Sequence, residues 1–219
     1  EDTAWATNCR AVVTLCNNAE GKIIVYPNTN SGYGVGGEEF CTEESLLEPI
    51  SAYGRSKVKA EERVLQHPLG ISLRFATLFG CSPRMRLDLM VNDFVYRAVR
   101  DRALVLYEPG FRRNFLHVRD AAGAIIHAIK HAPSMAGKAF NAGRTDANMT
   151  KAELAGKILA RVEGLTLYKG AGSDPDKRDY IVSNKRLEQT GWAPRYTIEE
   201  GIDELVRCFA QPFEGHRNV

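Results

Sequence analysis

The chain has 219 residues, 44% hydrophobic and 26% charged, with 29 Lys and Arg against 27 Asp and Glu for a net charge of +2. This average globular composition excludes a disordered tail, a collagen-like repeat and a coiled coil, and no apolar stretch approaches the roughly 20 residues of a membrane-spanning helix. The near balance of charge argues against a nucleic-acid binder, which presents a strongly basic face.

Residues 3–19 place Trp5, Val12, Leu15, Cys16 and Ala19 at helical spacing, and Gly21 ends that helix. Lys22–Tyr26 is a short apolar, β-branched run that predicts a buried strand. A glycine-rich, acidic loop extends to about Ile50, a second helix runs from Ser51 to Gln66, and Ile71–Thr77 predicts the next strand. Strand, helix, strand with short connections is the βαβ pattern of an α/β fold with a parallel sheet. Beyond Gly80 the pattern predicts helices at Leu87–Asp101 and Arg119–His131 and strands at Ala103–Tyr107, Arg113–Val118 and Lys138–Asn141. Thr150 with Glu153 reads as a capping box opening a helix to about Glu163. A last helix spans Thr197–Phe209, and Gly215–Val219 reads as a loose tail.

Three features read as structural. Cys9, Cys16, Cys41, Cys81 and Cys208 form no CxxC pair or zinc-spaced cluster and read as free thiols in a reducing, cytoplasmic compartment. His127 and His131 lack a third ligand and read as helix-surface histidines, so no metal is expected. Met85, Leu89, Met90 and Phe94 read as core, and Gly32–Gly37 as a flexible active-site loop, since no helix opens directly after it.

Tyr53 and Lys57 stand at i and i+4 of the second helix, on one face. An ammonium beside a phenol favours the phenolate and pulls its pKa toward neutrality, which makes Tyr53 a usable general acid/base. Lys57 also has the chemistry to hydrogen-bond a ribose hydroxyl. Thr29 follows the first strand, at the end where open α/β sheets bind ligands.

Thr29–Gly34, Tyr53 with Lys57, Leu73–Gly80 and Arg113–Asp120 occur in the order seen in extended short-chain dehydrogenases/reductases. The chain resembles a nucleotide-sugar epimerase/dehydratase of that group, and Asp174–Arg178, Tyr180–Asn184 and Gly191–Pro194 are similar to the family's C-terminal region. The resemblance implies the C-terminal part of a Rossmann-like sheet over residues 1–80. Residues 81–219 would form a smaller, mixed α/β substrate-binding region, with segments around 103–145 returning to the sheet. It implies that Thr29 holds the reacting sugar hydroxyl, that Tyr53 removes its proton, and that Lys57 holds the nicotinamide ribose. Phe75, Ala76, Thr77 and Leu78 would line the cofactor, with Thr77 also toward substrate, and Asn8 would support the active-site geometry. Arg113 would grip a diphosphate, helped by Arg178 and Asn92, with Asn30 and Ser31 beside the sugar; segments around 85–94 and 103–107 would form the base pocket.

Departures narrow the expected reaction. Sugar 4,6-dehydratases of this kind carry Asp-Glu directly after the threonine, and 3,5-epimerases place a cysteine at the position of Ser31; here the residues are Asn30 and Ser31. Transient oxidation at sugar C4 by an NAD- or NADP-dependent epimerase is expected, with a 4-ketosugar reductase or a non-catalytic binding protein as alternatives. The family's Gly-x-x-Gly-x-x-Gly turn does not occur in these residues. On that ground the chain resembles the C-terminal two-thirds of such an enzyme, short by about 90–100 residues at roughly 30 per βαβ unit. The resemblance implies a nucleotide-diphosphate sugar as partner and a homodimer through helices 3–19 and 51–67, with no nucleic acid and no membrane.

Overall fold

The computed structural model describes residues 2–174 and 176–211, and the loose tail expected at Gly215–Val219 lies outside them. The first helical stretch is continuous but not uniform: α1 (Asp2–Trp5) passes into a π-turn (Ala6–Arg10) and then α2 (Ala11–Asn18). β1 (Ile24–Thr29) starts later and runs further than the apolar run predicts, because polar Asn28 and Thr29 still pair with Arg74 and Phe75. Thr29 then caps a single 3-10 turn (Asn30–Tyr33), which closes at Gly34 with φ of +66°.

The segment expected to be a flexible loop contains a strand, β2 (Val35–Cys41). Its partner lies far along the chain at Asp179–Val182, so no local pattern announces it. α3 (Ala52–Gln66) begins where Ser51 Oγ accepts the Gly54 N–H, and β3 (Gly70–Phe75) and β4 (Thr77–Phe79) follow. Next come α4 (Met90–Asp101), β5 (Ala103–Leu106), β6 (Arg112–His117), α5 (Val118–Lys130), α6 (Ala132–Met135) and β7 (Lys138–Ala142). The last third holds β8 (Asn148–Thr150), α7 (Lys151–Leu159), β9 (Thr166–Lys169), β10 (Asp179–Val182), α8 (Lys185–Glu188) and α9 (Ile198–Phe209). Both Thr150/Glu153 and Thr197/Glu200 form complete capping boxes.

β1, β3 and β7 form a parallel sheet in the order β1-β3-β7, with Thr29 opposite Phe75 and Phe75 opposite Ala142. Every residue of β3 is buried, as a parallel strand covered on both faces requires. Successive β1 residues show the two faces: Ile24 and Tyr26 join Ala60 and Val64 of α3, whereas Val25 joins the alanine-rich side of α5. A second core gathers Phe79, Val91, Val95, Leu104, Leu154 and Leu205 from α4, α7, α9 and their strands. Residues 116–142 return to the sheet, whereas Ala103–Leu106 pairs with β9 and packs in the second core.

Candidate active site

A cavity of about 680 Å³ opens where β1 and β3 end, between the two cores. That is the place and size expected of a small-molecule site in an open α/β sheet. Thr29, Ser31, Tyr53, Phe75, Ala76, Thr77, Leu78, Arg113 and Arg178 all line it, so most residues singled out in the sequence converge here. Pro27, Asn28, Arg86, Asp88, Leu89, Met90, Asp93, Phe94, Asp174, Asp176 and Tyr180 complete the wall.

α3 brings Tyr53 to the cavity in its first turn. There it faces Thr29 on the cavity wall, and 47% of its surface stays exposed. The π-turn supports this turn of helix: Asn8 Nδ2 donates to Ser56 Oγ at 3.1 Å, and Ser56 Oγ donates to the Tyr53 carbonyl at 2.9 Å. The Asn8 carbonyl also accepts the Tyr26 hydroxyl at 3.2 Å.

Lys57 does not act on Tyr53 as the i, i+4 spacing predicts. Its ammonium donates to the Pro27 carbonyl at 2.5 Å and sits 4.1 Å from the centre of the Tyr26 ring, outside the cavity wall. Desolvation lowers the lysine pKa to about 8. The Tyr53 pKa is raised, not drawn toward neutrality: burial pushes it up, opposed by the Thr29 hydrogen bond and the charges of Arg178 and Arg86. A shared helix face fixes direction only, and here a backbone carbonyl lies closer to the ammonium than the phenol does.

Thr29 Oγ1 accepts the Ser31 N–H at 3.1 Å and donates to Ser31 Oγ at 3.0 Å. Arg178 Nη1 also donates to Ser31 Oγ, while its Nε and Nη2 fork onto Asp176 at 2.6 and 2.5 Å. Arg113, only 1% exposed, pairs with the same carboxylate at 3.1 Å and donates to the carbonyls of Arg112 and Arg178. Burial would raise the Asp176 carboxyl, but the two arginines more than offset it and hold it well below the usual range.

Two expected contributors stand elsewhere. Asn92 does not line the cavity; it accepts the Gly80 N–H at 3.1 Å and donates to the Arg86 carbonyl at 2.9 Å, bracing the 80–92 turn. Asn30 is also behind the wall, 1% exposed, with both side-chain polar atoms unpartnered. Conversely, Leu89, Met90 and Phe94 face the cavity, while Met85 alone of that set is fully core. The 103–107 segment contributes no lining residue. No sequence pattern marks Arg86, Asp88 and Asp93, since isolated charges in and beside loops have no period; Asp174 and Asp176 stand in the Asp174–Arg178 motif without a role that the sequence assigns them.

His127 bonds Thr190 Oγ1 at 2.8 Å and stacks on His131. Among the described residues no cluster of three or more His, Cys, Asp or Glu could hold a metal, and no helix is long and apolar enough to cross a membrane. All five cysteines are free, three of them buried and Cys81 and Cys208 partly exposed.

The model of the NAD dependent epimerase/dehydratase family matches residues 1–143. UDP-glucuronic acid decarboxylase 6 of Arabidopsis thaliana is 26% identical over 220 residues, covering 94% of this chain and 59% of that protein. dTDP-D-glucose 4,6-dehydratase of Mus musculus is 24% identical over 211 residues, covering 89% and 58%. A crystal structure of dTDP-glucose 4,6-dehydratase from Bacillus anthracis, in complex with NAD, superimposes with a TM-score of 0.78 at 26% identity, covering 94% of this chain and 68% of that one. The chain thus spans about three-fifths of the length of the curated relatives it matches.

Proposed function

The chain belongs to the NAD dependent epimerase/dehydratase family, and from that premise we propose that it acts as an NAD- or NADP-dependent nucleotide-sugar epimerase, with transient oxidation at sugar C4. The observation that carries this reading is the meeting of Thr29, Tyr53 and the buried guanidinium of Arg113 on the wall of one cavity at the end of β1. Thr29 holds the C4 hydroxyl, Tyr53 takes its proton and later returns it, and Arg113 grips the diphosphate, a role its planar fork of donors suits. Phe75, Ala76, Thr77 and Leu78 line the same cavity and in this reading pack against the cofactor.

The residues fit a nicotinamide cofactor. Asn28 lines the cavity, is 3% exposed, and its Oδ1 has no hydrogen-bond partner, so a buried acceptor waits there for an amide donor. Lys57, held at the Pro27 carbonyl just outside that wall, keeps further N–H donors of the kind a ribose hydroxyl accepts. When bound, the nicotinamide supplies a reversible hydride acceptor for C4.

Elimination chemistry has little support. Asn30 and Ser31 bring no carboxyl group to the Thr29 turn. The four carboxylates that line the cavity are all engaged: Asp88 with Arg86, Asp93 with Arg97, Asp174 with Lys151, and Asp176 with Arg178. A 4-ketosugar reductase would use the same residues but would start from the C4 ketone and consume one NAD(P)H per turnover. The reading also includes a homodimer through helices 3–19 and 51–67, where Leu15 is 55% exposed, and a reducing cytoplasmic setting for the free thiols.

The test is product analysis after incubation with NAD or NADP and UDP- or dTDP-hexoses. A C4-inverted sugar from the parent protein, lost in Tyr53→Phe with nucleotide-sugar binding retained, is expected. Unchanged turnover in Tyr53→Phe, or no C4-modified product from any of these sugars, overturns it.

A further inference from the structure

A line of polar contacts leads away from the phenol. Tyr53 and Thr29 face one cavity, Thr29 Oγ1 donates to Ser31 Oγ at 3.0 Å, and Ser31 Oγ also accepts Arg178 Nη1. The guanidinium at its end is fixed by the two-point contact to Asp176.

Thr29 has a single hydroxyl proton. With Tyr53 protonated, that proton is committed to Ser31. A phenolate needs a donor, so ionisation of Tyr53 draws the Thr29 proton toward it and leaves Ser31 Oγ with Arg178 as its donor. Arg178 is therefore the group that keeps the line satisfied in both states.

Charge points the same way. Lys57, on the same helix as Tyr53, is committed to the Pro27 carbonyl. Arg86, facing Tyr53 from the turn before α4, is neutralised by a two-point pair with Asp88 at 2.7 and 2.5 Å. Tyr26, facing from β1, is a neutral phenol whose own pKa is raised by burial. Facing from the segment before β10, Arg178 and Arg113 share the one carboxylate of Asp176, so that cluster keeps a net positive charge.

We propose that Arg178, held by Asp176, is a positioning residue for the Tyr53 acid–base centre: it orients the Thr29 hydroxyl through Ser31 and stabilises the Tyr53 phenolate. The inference rests on the assignment of Tyr53 as acid/base and gives Arg178 a task other than gripping a diphosphate.

The experiment is a pH titration of the full chain labelled with ¹³Cζ-tyrosine, the Tyr53 signal being assigned by its loss in Tyr53→Phe. Arg178→Gln is expected to raise the Tyr53 pKa by about one unit, and Arg178→Lys to recover part of that shift. Ser31→Ala, which removes the relay but keeps the guanidinium, is expected to give a smaller rise and serves if Arg178→Gln does not fold. The other tyrosine signals report folding in each variant. A Tyr53 pKa unmoved in a folded Arg178→Gln, or in Ser31→Ala, overturns the proposal, even if UDP binding weakens. Failure of the parent protein to bind UDP-hexoses would count against the proposed substrate, whereas the titration judges Arg178 independently.

Discussion

Arg74 and Glu61 meet in a buried ion pair, with Nη2 at 2.6 Å from Oε1 and both side chains nearly inaccessible. Glu61 also accepts Asn28 Nδ2 at 2.7 Å and Ser72 Oγ at 2.5 Å, and Arg74 Nη1 donates to the Tyr33 hydroxyl at 3.1 Å. One carboxylate thus joins α3, β1 and β3 directly beneath the turn that carries Thr29 and Ser31. Replacing a buried partner leaves the other charge unpaired, so Glu61→Gln is expected to cost about 3–5 kcal/mol in denaturant unfolding. Burial would raise the Glu61 carboxyl, but Arg74 and the neutral donors bring it below the usual value of 4.5. Its stabilisation is therefore present above that value and is lost as pH falls through the lower folded pKa, a dependence the Gln variant should lack. Parallel acid-unfolding curves for parent and variant would contradict this.

The β1–α3–β3 unit was legible because its signals are local: apolar runs, a helix bounded by Ser51 and Pro68, and short connections. β2 was not, since Val35–Cys41 has no alternation and its partner strand lies far along the sequence. Thr29, Tyr53 and Arg113 were legible as motif positions, and all three line the cavity. Where Lys57 points was not, because spacing on a helix gives a face and says nothing of the carbonyl waiting at Pro27. Asn92 was read as a substrate contact, yet its amide is consumed by the turn it braces. Asp176 lies in the Asp174–Arg178 motif, but nothing local in the sequence marks it as the carboxylate that both arginines share.

Lys57 makes a pH-dependent contribution with a definite sign. Its folded pKa, about 8, lies below the ordinary 10.5, so between those values the unfolded chain holds a proton that the folded chain does not. Stability from this group therefore rises with pH across that window and is level on either side. Compared with Lys57→Met, the parent should gain about 3 kcal/mol between the two values, at 1.36 kcal/mol per unit. Urea unfolding of both proteins across that range measures it, and a constant difference between them would refute the desolvated ammonium.

Gly34 closes the turn that presents Thr29 and Ser31. Its φ of +66° disfavours any side chain, and a Cβ there would overlap the Glu48 carbonyl oxygen. Gly34→Ala is expected to cost about 1–3 kcal/mol from backbone strain and overpacking together. The same turn orients the Thr29 hydroxyl, so the variant should lose turnover at temperatures where it remains folded. Gly37, which has open space around its Cβ position, provides the contrast: Gly37→Ala should be nearly neutral in both assays.

Asn8 separates side-chain from backbone support of the active site. Its amide holds Ser56 at 3.1 Å, and Ser56 holds the carbonyl of Tyr53 at 2.9 Å, whereas its own carbonyl holds Tyr26 at 3.2 Å. Asn8→Ala removes only the first of these bonds and leaves the π-turn carbonyl on Tyr26. One partly buried neutral hydrogen bond is worth about 1 kcal/mol, so the melting temperature should fall by a few degrees. Turnover should fall further than that small loss of stability explains, because the first turn of α3 sets where the Tyr53 hydroxyl meets Thr29. Ser56→Ala should reproduce the effect, and the double variant should add little to either single one, since both act through one contact. Additive losses would mean that Asn8 reaches Tyr53 by another route.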